Sequence, residues 1–281
     1  METVPLKSWK SFKDRVDALF DASSQLRIDT GSYVSNPVFR GQADSKSQLS
    51  TTLERESGPE FDLIQFYQDI LNPALRQLQR ELNFELKPLR TIGLKTLKFR
   101  DLCDNLPWSD KLALLRHHGA PSPLLDWTYS PYVAAFFAFM PLPTPAIKKV
   151  AKKVAIFAYR QTVGQGNGYQ TDRPHIGCLG PWMPAHDRHI RQQSTYTFCI
   201  QKIGTRISFV AHEHADKNRP SERIQHRDNE ITKFTIPVSE REEALRDLRK
   251  MNVTEYSLFD TDDALVRTVV HRALEKPKIE G

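Results

Sequence analysis

Residues 111–138 constrain the fold more than any other stretch of the chain, because polar groups there lie between two apolar segments. A short amphipathic segment breaks at residues 117–119, passes through the Asp-Trp-Thr turn at 126–128, and continues into an almost wholly apolar segment. A purely structural pair of helices does not need this set of polar groups. We therefore expect any functional site of the chain to be built here.

Local signals predict two helices around this joint. The first is predicted to begin at a Ser109 cap and to end just before Gly119, which suits the residue after a C-cap. Ser130 followed by Pro131 predicts the next helix start, because serine accepts from a free N–H and proline fits a first turn. That helix, over residues 132–140, is apolar all round and should be buried.

The rest of the chain is richer in helical patterns before this joint and in strand patterns after it. Helices are predicted over residues 6–26, 59–82 (with a kink or junction at Pro73), 240–251 (capped by Ser239) and 260–274. Strands are predicted over residues 38–42, 154–159, 196–200, 207–211 and 231–236, and an extended segment over 252–259.

These patterns predict an α+β fold, helix-rich in its N-terminal half and strand-rich in its C-terminal half. With 281 residues and 39% hydrophobic residues, the chain can bury the core of one large domain, which excludes wholesale disorder. We expect residues 1–30 to form an N-terminal helical extension and residues 31–275 to form the domain. The net charge of +6 is spread among charges of both signs, which is typical of a solvated surface; a polyanionic partner is the alternative explanation.

Several classes of protein are disfavoured by the composition. Cys103, Cys178 and Cys199 are widely spaced and form no CxxC pair, which indicates a reducing, cytoplasmic compartment. No run approaches 18 apolar residues, so no contact with a membrane is expected. His212 and His214 on a strand would share a face, but they lack a clear third ligand; solvated strand-end histidines are the simpler interpretation, and no metal is expected.

Two groups of residues are candidates for chemistry on their types alone. In Phe39-Arg40-Gly41-Gln42, arginine can grip a phosphate or carboxylate while glycine lets the backbone approach a ligand; a turn with a surface arginine is the alternative. His118, Asp126, Thr128 and Ser130 surround the start of the buried helix, where free N–H groups attract anions. Helix capping would explain the same polar residues, and Trp127 fits a core position.

Residues 188–196 form a third candidate group. The segment contains Gln192-Gln193-Ser194 and leads into a predicted strand. A glutamine pair alone indicates no particular chemistry, and a polar loop explains it equally well.

Taken together, these segments resemble the FRG domain, a family named for an aromatic-Arg-Gly motif. Residues 39–42 resemble the name motif, and residues 117–131 with Ala134 and residues 137–138 resemble the central block of form QHxGxPTxLLDWTxSPxxAxxFA. Residues 188–196 are similar to the RxxxQxGxF element, with serine in place of its glycine, and residues 252–259 look like the closing segment. The resemblance extends roughly over residues 36–272.

The family layout is similar to that of ADP-ribosyltransferases. This resemblance implies a core built on a mixed or antiparallel sheet, and it implies roles for single residues. Arg40 would hold the phosphates of NAD, Thr128 and Ser130 would support the nicotinamide ribose, and Gln192 matches the position of a glutamate that engages a ribose hydroxyl. Gln192 carries no charge, so Asp126 would take over the electrostatic role. The expected catalytic residues are Arg40, His118, Asp126 and Gln192, and the expected NAD-binding residues are Arg40, Gly41, Gln42, Trp127, Thr128 and Ser130.

The resemblance thus implies an ADP-ribosyltransferase or NAD glycohydrolase, with NAD as substrate and a protein or nucleic acid as acceptor. It also suggests an effector or toxin in bacterial anti-phage defence. One alternative is a module of the same fold that binds a nucleotide without turnover. Another is a nuclease with His118 and Asp126 as an acid–base pair and with the basic segments Lys148–Lys153 and Arg188–Arg191 on phosphates.

Overall fold

A twisted sheet forms the centre of the computed structural model, which describes residues 1–82, 98–140, 151–163, 173–180, 187–217 and 228–274. Within these ranges ten strands join one sheet. The strands are β1 (Glu2–Pro5), β2 (Tyr33–Val34), β3 (Val38–Gln42), β4 (Glu60–Asp62), β5 (Leu125–Thr128), β6 (Lys153–Val163), β7 (His175–Leu179), β8 (Ser194–Ile203), β9 (Arg206–Val210) and β10 (Asp228–Pro237).

Helices cover the sheet and connect its strands. They are α1 (Trp9–Thr30), α2 (Thr52–Ser57), α3 (Leu63–Gln65), α4 (Asn72–Leu82), α5 (Phe99–Asp104), α6 (Ser109–His117), α7 (Pro131–Phe139), α8 (Asp187–Arg191), α9 (His212–Lys217), α10 (Arg241–Lys250), α11 (Glu255–Phe259) and α12 (Asp262–Leu274). A π-helical segment (Phe66–Leu71) joins α3 to α4, and a 3₁₀ turn (Val238–Glu240) precedes α10. None of the described helices is long and apolar enough to cross a membrane.

The strand order is β1-β10-β6-β3-β5-β8-β9-β4, with β2 beside β6 and β7 beside β8. Strands β1 and β10 run parallel, and the other pairs run antiparallel. The predicted α+β class and mixed sheet are therefore confirmed. Strand β5 lies between β3 and β8, so these three neighbours bring together residues 40, 126 and 194.

One hydrophobic core holds the apolar helix α7 against the sheet. Trp9 and Phe12 of α1 pack in this core with Phe139 of α7 and Phe234 of β10. Residues 1–30 thus contribute a strand and a buried helix face to the same core as the sheet. The boundary predicted at residue 30 remains a prediction.

Gly41 sets the distance between α7 and β3. A Cβ atom at this position would lie 1.9 Å from the carbonyl oxygen of Ala134 and 2.7 Å from the amide nitrogen of Ala138. Only glycine leaves room for the helix backbone at that distance. The close approach at Gly41 is thus made by helix α7, and the approach of a ligand to Gly41 remains a prediction.

A second core carries α6 on the other half of the sheet. Leu112 of this helix packs in a cluster with Phe66, Phe198 and Phe209. The burial of Leu112 holds the carboxyl end of α6, including Arg116, beside strand β5.

Four local predictions were wrong. The N-cap of α6 is Trp108 rather than Ser109, and the N-cap of α10 is Glu240 rather than Ser239. Residues 252–259 are not extended: Thr254 and Ser257 form a capping box that starts the helix α11. Residues 126–128 belong to strand β5 instead of forming a turn.

The helix predicted from residue 59 begins only at Leu63, because Glu60–Asp62 pair with β9 as strand β4. Most other predictions that fall on described residues agree with the structure. The strands predicted near residues 38, 154, 196, 207 and 231 are present as β3, β6, β8, β9 and β10. Ser130 caps α7, with Pro131 as its first residue, and Gly119 follows the C-cap of α6 with φ of +85°. Two helical segments meet at Leu71 and Asn72, one residue before the predicted junction at Pro73.

Candidate functional site

Alternation along strand β5 presents two polar side chains at one place. Leu125 and Trp127 are buried in a core cluster, so the period of two directs Asp126 and Thr128 to the opposite side of the strand. The indole N–H of Trp127 donates to the buried hydroxyl of Thr197 at 2.7 Å, which fixes the strand against β8. Trp127 is therefore a core residue, as one of the two sequence interpretations expected, and it also lines a cavity beside Asp126.

Asp126 lies between two arginines from different elements. Nε of Arg116 donates to Oδ1 of Asp126 at 2.5 Å, and Nη2 of Arg116 donates to Oδ2. Nη1 of Arg40 donates to the backbone oxygen of Asp126 at 2.8 Å and lies 3.3 Å from Oδ2. The end of α6, strand β3 and strand β5 thus meet in one Arg–Asp–Arg group.

The two arginines of this group stabilise the ionised form of Asp126. Burial alone would raise the pKa of Asp126, but the hydrogen bonds and charge of Arg116, together with Arg40, lower it below its ordinary value. The side chain of Asp126 is 46% exposed, whereas those of Arg40 and Arg116 are 19% and 12% exposed. The carboxylate is therefore ionised at neutral pH and accessible to solvent, with the guanidinium groups beneath it.

A cleft with two lobes opens on either side of Asp126. The first lobe, of about 350 Å³, is lined by Arg40, Gly41, Thr128, Ala134, Phe137 and Gln192, among others. The second lobe, of about 320 Å³, is lined by Arg116, His117, Arg188, His189, Tyr196 and Phe259, among others. Asp126, Phe137, Gln192 and Ser194 line both lobes, so the Arg–Asp–Arg group lies at their junction.

The second lobe combines aromatic rings with positive charge. The guanidinium of Arg188 lies 5.3 Å from the ring centroid of Phe259, and the rings of His189 and Tyr196 are 5.4 Å apart. Burial, with the charge of Asp126, raises the pKa of Tyr196 to about 12, so its hydroxyl stays protonated and can donate a hydrogen bond. This lobe suits a planar or anionic group.

Hydrogen bonds of both its side chain and its backbone hold Gln192 at the junction of the two lobes. Its side-chain amide donates to the carbonyl oxygen of Leu258 in α11 at 3.2 Å, and its backbone oxygen accepts from the hydroxyl of Thr128 at 2.7 Å. The predicted third element therefore reaches the same cleft as Arg40 and Asp126. Sequence position alone did not indicate this, because the three segments are far apart in the chain.

Thr128 and Ser130 have different positions. Thr128 lines the first lobe, and its hydroxyl accepts from the N–H of Ser130 at 3.1 Å. Ser130 lines neither lobe; its hydroxyl accepts from the N–H of Val133 at 3.2 Å and caps α7. In the structure Ser130 thus has a capping role.

We expect Ser130→Ala to lower the free energy of unfolding by about 1 kcal/mol, because the N–H of Val133 loses its acceptor. Chemical denaturation of the purified chain measures this change, and Ser130→Thr, which keeps a capping hydroxyl, should retain most of the stability. Unchanged stability in Ser130→Ala would show that the cap contributes little.

Two further predicted residues lie outside the cleft. His118 is exposed beyond the end of α6, lines neither lobe, and has its ring 6.4 Å from that of His117. Gln42 also lines neither lobe, and its amide donates to the carbonyl oxygen of Gln48 at 3.1 Å. The pairing of His118 with Asp126 that a nuclease would need has no support in these contacts.

The histidine pair considered for a metal does not lie on a strand. His212 begins helix α9 and is fully buried, with Nε2 2.9 Å from the hydroxyl of Thr197. Burial, with the nearby charge of Arg40, lowers the pKa of His212 to about 3, so it is neutral. The expectation of a solvated histidine is wrong here. Within the described ranges, no three His, Cys, Asp or Glu side chains are grouped so as to hold a metal ion.

Arg116 was missed by the sequence analysis. It precedes the break at residues 117–119, where a charged side chain at a helix end is expected for solvation or for the helix dipole. The one sequence feature that could have drawn attention to Arg116 is its position after two leucines, directly before the residues that end the helix. Its pairing with Asp126 depends on how the chain returns from α6 into β5.

The comparison with known families agrees with the central part of this description. A family model described as the FRG domain matches residues 35–144, which include β3, α6, β5 and α7. The resemblance to the FRG domain is therefore confirmed over that segment, which is shorter than the residues 36–272 inferred from sequence. No curated protein and no solved structure matches the chain.

Proposed function

We propose that the two-lobed cleft binds NAD and cleaves its nicotinamide–ribose bond, either for transfer of ADP-ribose or for hydrolysis. The observation that carries the proposal is the position of the Arg–Asp–Arg group at the junction of the two lobes. NAD consists of two ring-bearing halves joined by a diphosphate. A cleft with two lobes and two guanidinium groups at the junction matches that division.

The guanidinium groups have a further property that suits a diphosphate. Nε of Arg40 is buried without a hydrogen-bond partner among the described residues, although the group lines the first lobe. A phosphate oxygen in this lobe would give the largely buried guanidinium a second charged acceptor beside Asp126. Arg116 reinforces the positive charge from the side of the second lobe.

The chemistry assigned to Asp126 is electrostatic. When the bond between C1′ of the ribose and the nicotinamide nitrogen breaks, the electron pair leaves with nicotinamide and positive charge develops on the ribose. An ionised carboxylate beside C1′ would stabilise that charge. Water or a nucleophile of the acceptor then bonds to C1′ and loses a proton. Gln192 would orient the ribose through hydrogen bonds, since it brings no charge.

A module that binds a nucleotide without turnover is the second candidate. Both carboxylate oxygens of Asp126 already accept from Arg116, and the junction offers Gln192 instead of a second carboxylate. A carboxylate whose charge is neutralised by an arginine in this way is suited to a site that binds a ligand without reaction.

An effector role in anti-phage defence is part of the enzymatic proposal. Depletion of NAD, or modification of a host component, would serve that role.

The test is incubation of the purified chain with NAD, with free nicotinamide as the readout, beside binding of NAD and ADP-ribose measured by calorimetry. We expect nicotinamide release, and a decrease of about tenfold or more in Asp126→Asn, because the charge at the developing cation is lost. Arg40→Ala should weaken the binding of both ligands by a similar factor, because the diphosphate loses a charged partner.

Asp110→Asn is the matched control, since Asp110 lies on α6 and lines neither lobe. This variant should release nicotinamide at the same rate as the unaltered chain. Binding without nicotinamide release, in the presence of protein and nucleic acid acceptors, would favour the binding module. Absence of both binding and release would contradict both candidates.

A further inference from the structure

The last helix of the chain, α12, carries an apolar stripe exposed to solvent. Leu265, Val266, Val269 and Val270 are 40%, 61%, 51% and 48% exposed. At spacings of one and four residues these side chains share one side of the helix. A contiguous group of four large aliphatic side chains on a surface is typical of an interaction site.

The opposite side of α12 already packs against the protein. Ala264 and Thr268 are buried, and the hydroxyl of Thr268 accepts from the N–H of Tyr256 in α11 at 3.1 Å. These contacts orient the helix and direct the apolar stripe outward. The stripe is therefore held in place by the fold.

Charges at the two ends of the helix are complementary to each other. Asp262 and Asp263 lie in the first turn, and His271 and Arg272 lie in the last turn. The stripe is centred between Arg267 and Thr268, and Asp262, three and four residues before Leu265 and Val266, shares its side of the helix. An antiparallel copy paired about that centre would therefore bring Asp262 within one residue's height of Arg272 of the other copy. Each acidic first turn would then lie beside a basic last turn, and the helix dipoles would also oppose one another favourably.

We propose that α12 is a self-association surface through which two copies of this chain pair antiparallel about a twofold axis. A symmetric pair buries the same stripe on both copies and joins the acidic and basic ends twice. An acidic or a basic partner of another kind would complement only one end of the helix. The interface is independent of the cleft, so this inference does not rest on the proposed activity.

A single pair of helices gives a small interface, so we expect weak association, with a dissociation constant on the order of tens of micromolar. Sedimentation velocity of the full chain between about 1 and about 200 µM should show a shift from monomer to dimer. Val269→Lys places a charge in the stripe and should raise the dissociation constant about tenfold or more. Ile28→Lys is the matched control, because Ile28 is also exposed but lies on α1.

A charge exchange tests the antiparallel arrangement. Asp262→Arg and Arg272→Asp should each weaken dimerisation, and the double variant should recover it, because the acidic and basic ends exchange places on both copies. A chain that stays monomeric throughout the concentration range would overturn the proposal. So would a dimer unaffected by Val269→Lys, or binding of α12 to lipid vesicles by a chain that remains monomeric.

Discussion

Gly41→Ala is expected to lower the free energy of unfolding by about 3 kcal/mol or more, and it is among the most damaging single-methyl changes that the structure predicts. The added Cβ would lie 1.9 Å from the carbonyl oxygen of Ala134, which is a backbone atom of the buried helix α7. A side chain can turn aside, but a helix backbone must move as a whole. Chemical denaturation monitored by circular dichroism measures the loss.

Gly204→Ala is the control for the loss of a glycine as such. Gly204 has φ of +61° and no atom within 4 Å of a built Cβ, so alanine there incurs only the conformational cost of about 1 kcal/mol. Ala134→Gly should not rescue Gly41→Ala, because it leaves the clashing carbonyl in place. Equal losses at positions 41 and 204 would contradict the role assigned to Gly41.

This role of Gly41 bears on how the cleft is built. Phe137 of α7 and Arg40 of β3 line the first lobe, so the separation of these two elements fixes its width. A variant that folds with α7 displaced should therefore also have an altered lobe. The glycine of the aromatic-Arg-Gly motif therefore sets the width of the first lobe through the position of the helix.

Features set by neighbouring residues could be predicted from the sequence. Ser130 and Pro131 predicted the start of α7, and Gly119 the end of α6, because capping involves only residues a few positions apart. The same local rules misplaced Ser109, since Trp108 in a left-handed conformation takes the cap position. They also missed α11, where the capping box uses serine at the position that glutamate or glutamine usually occupies.

The candidate site depended on contacts between distant parts of the chain. The family resemblance named Arg40, Asp126 and Gln192, and strand pairing of β3 with β5 and of β5 with β8 brings these segments together. Arg116 could not be named in this way, because its partner is chosen by the path of the chain from α6 into β5. The alternation along β5 would have separated Asp126 from Trp127 had the segment been recognised as a strand.

Asp126→Asn is expected to lower the free energy of unfolding by about 2 kcal/mol at neutral pH. The change leaves the guanidinium groups of Arg40 and Arg116, which are largely buried, without their shared negative charge. We expect a smaller loss of stability than for a fully buried ion pair, because the carboxylate is 46% exposed and solvent weakens its attraction to the guanidinium groups. Asp260→Asn is the control: Asp260 pairs with Arg191 at the surface, and its loss should be no more than about 0.5 kcal/mol.

The pH dependence of the difference in free energy of unfolding between the unaltered chain and Asp126→Asn tests whether the carboxylate causes that difference. The pKa of Asp126 in the folded chain is lower than its ordinary value, so its contribution is complete above the unfolded pKa, about 3.9, and is lost as pH falls through the folded value. The gap between the unaltered chain and Asp126→Asn should stay constant from about pH 8 to about pH 5 and close in acid.

Coupling to Arg116 completes the argument. Arg116→Met keeps the apolar stem of the side chain and removes the guanidinium, so Asp126→Asn combined with it should cost less than the sum of the two single changes, by about 1 kcal/mol. Additive losses would mean that the two residues stabilise the fold separately. In that case the Arg–Asp–Arg group would not act as the unit on which the cleft is built.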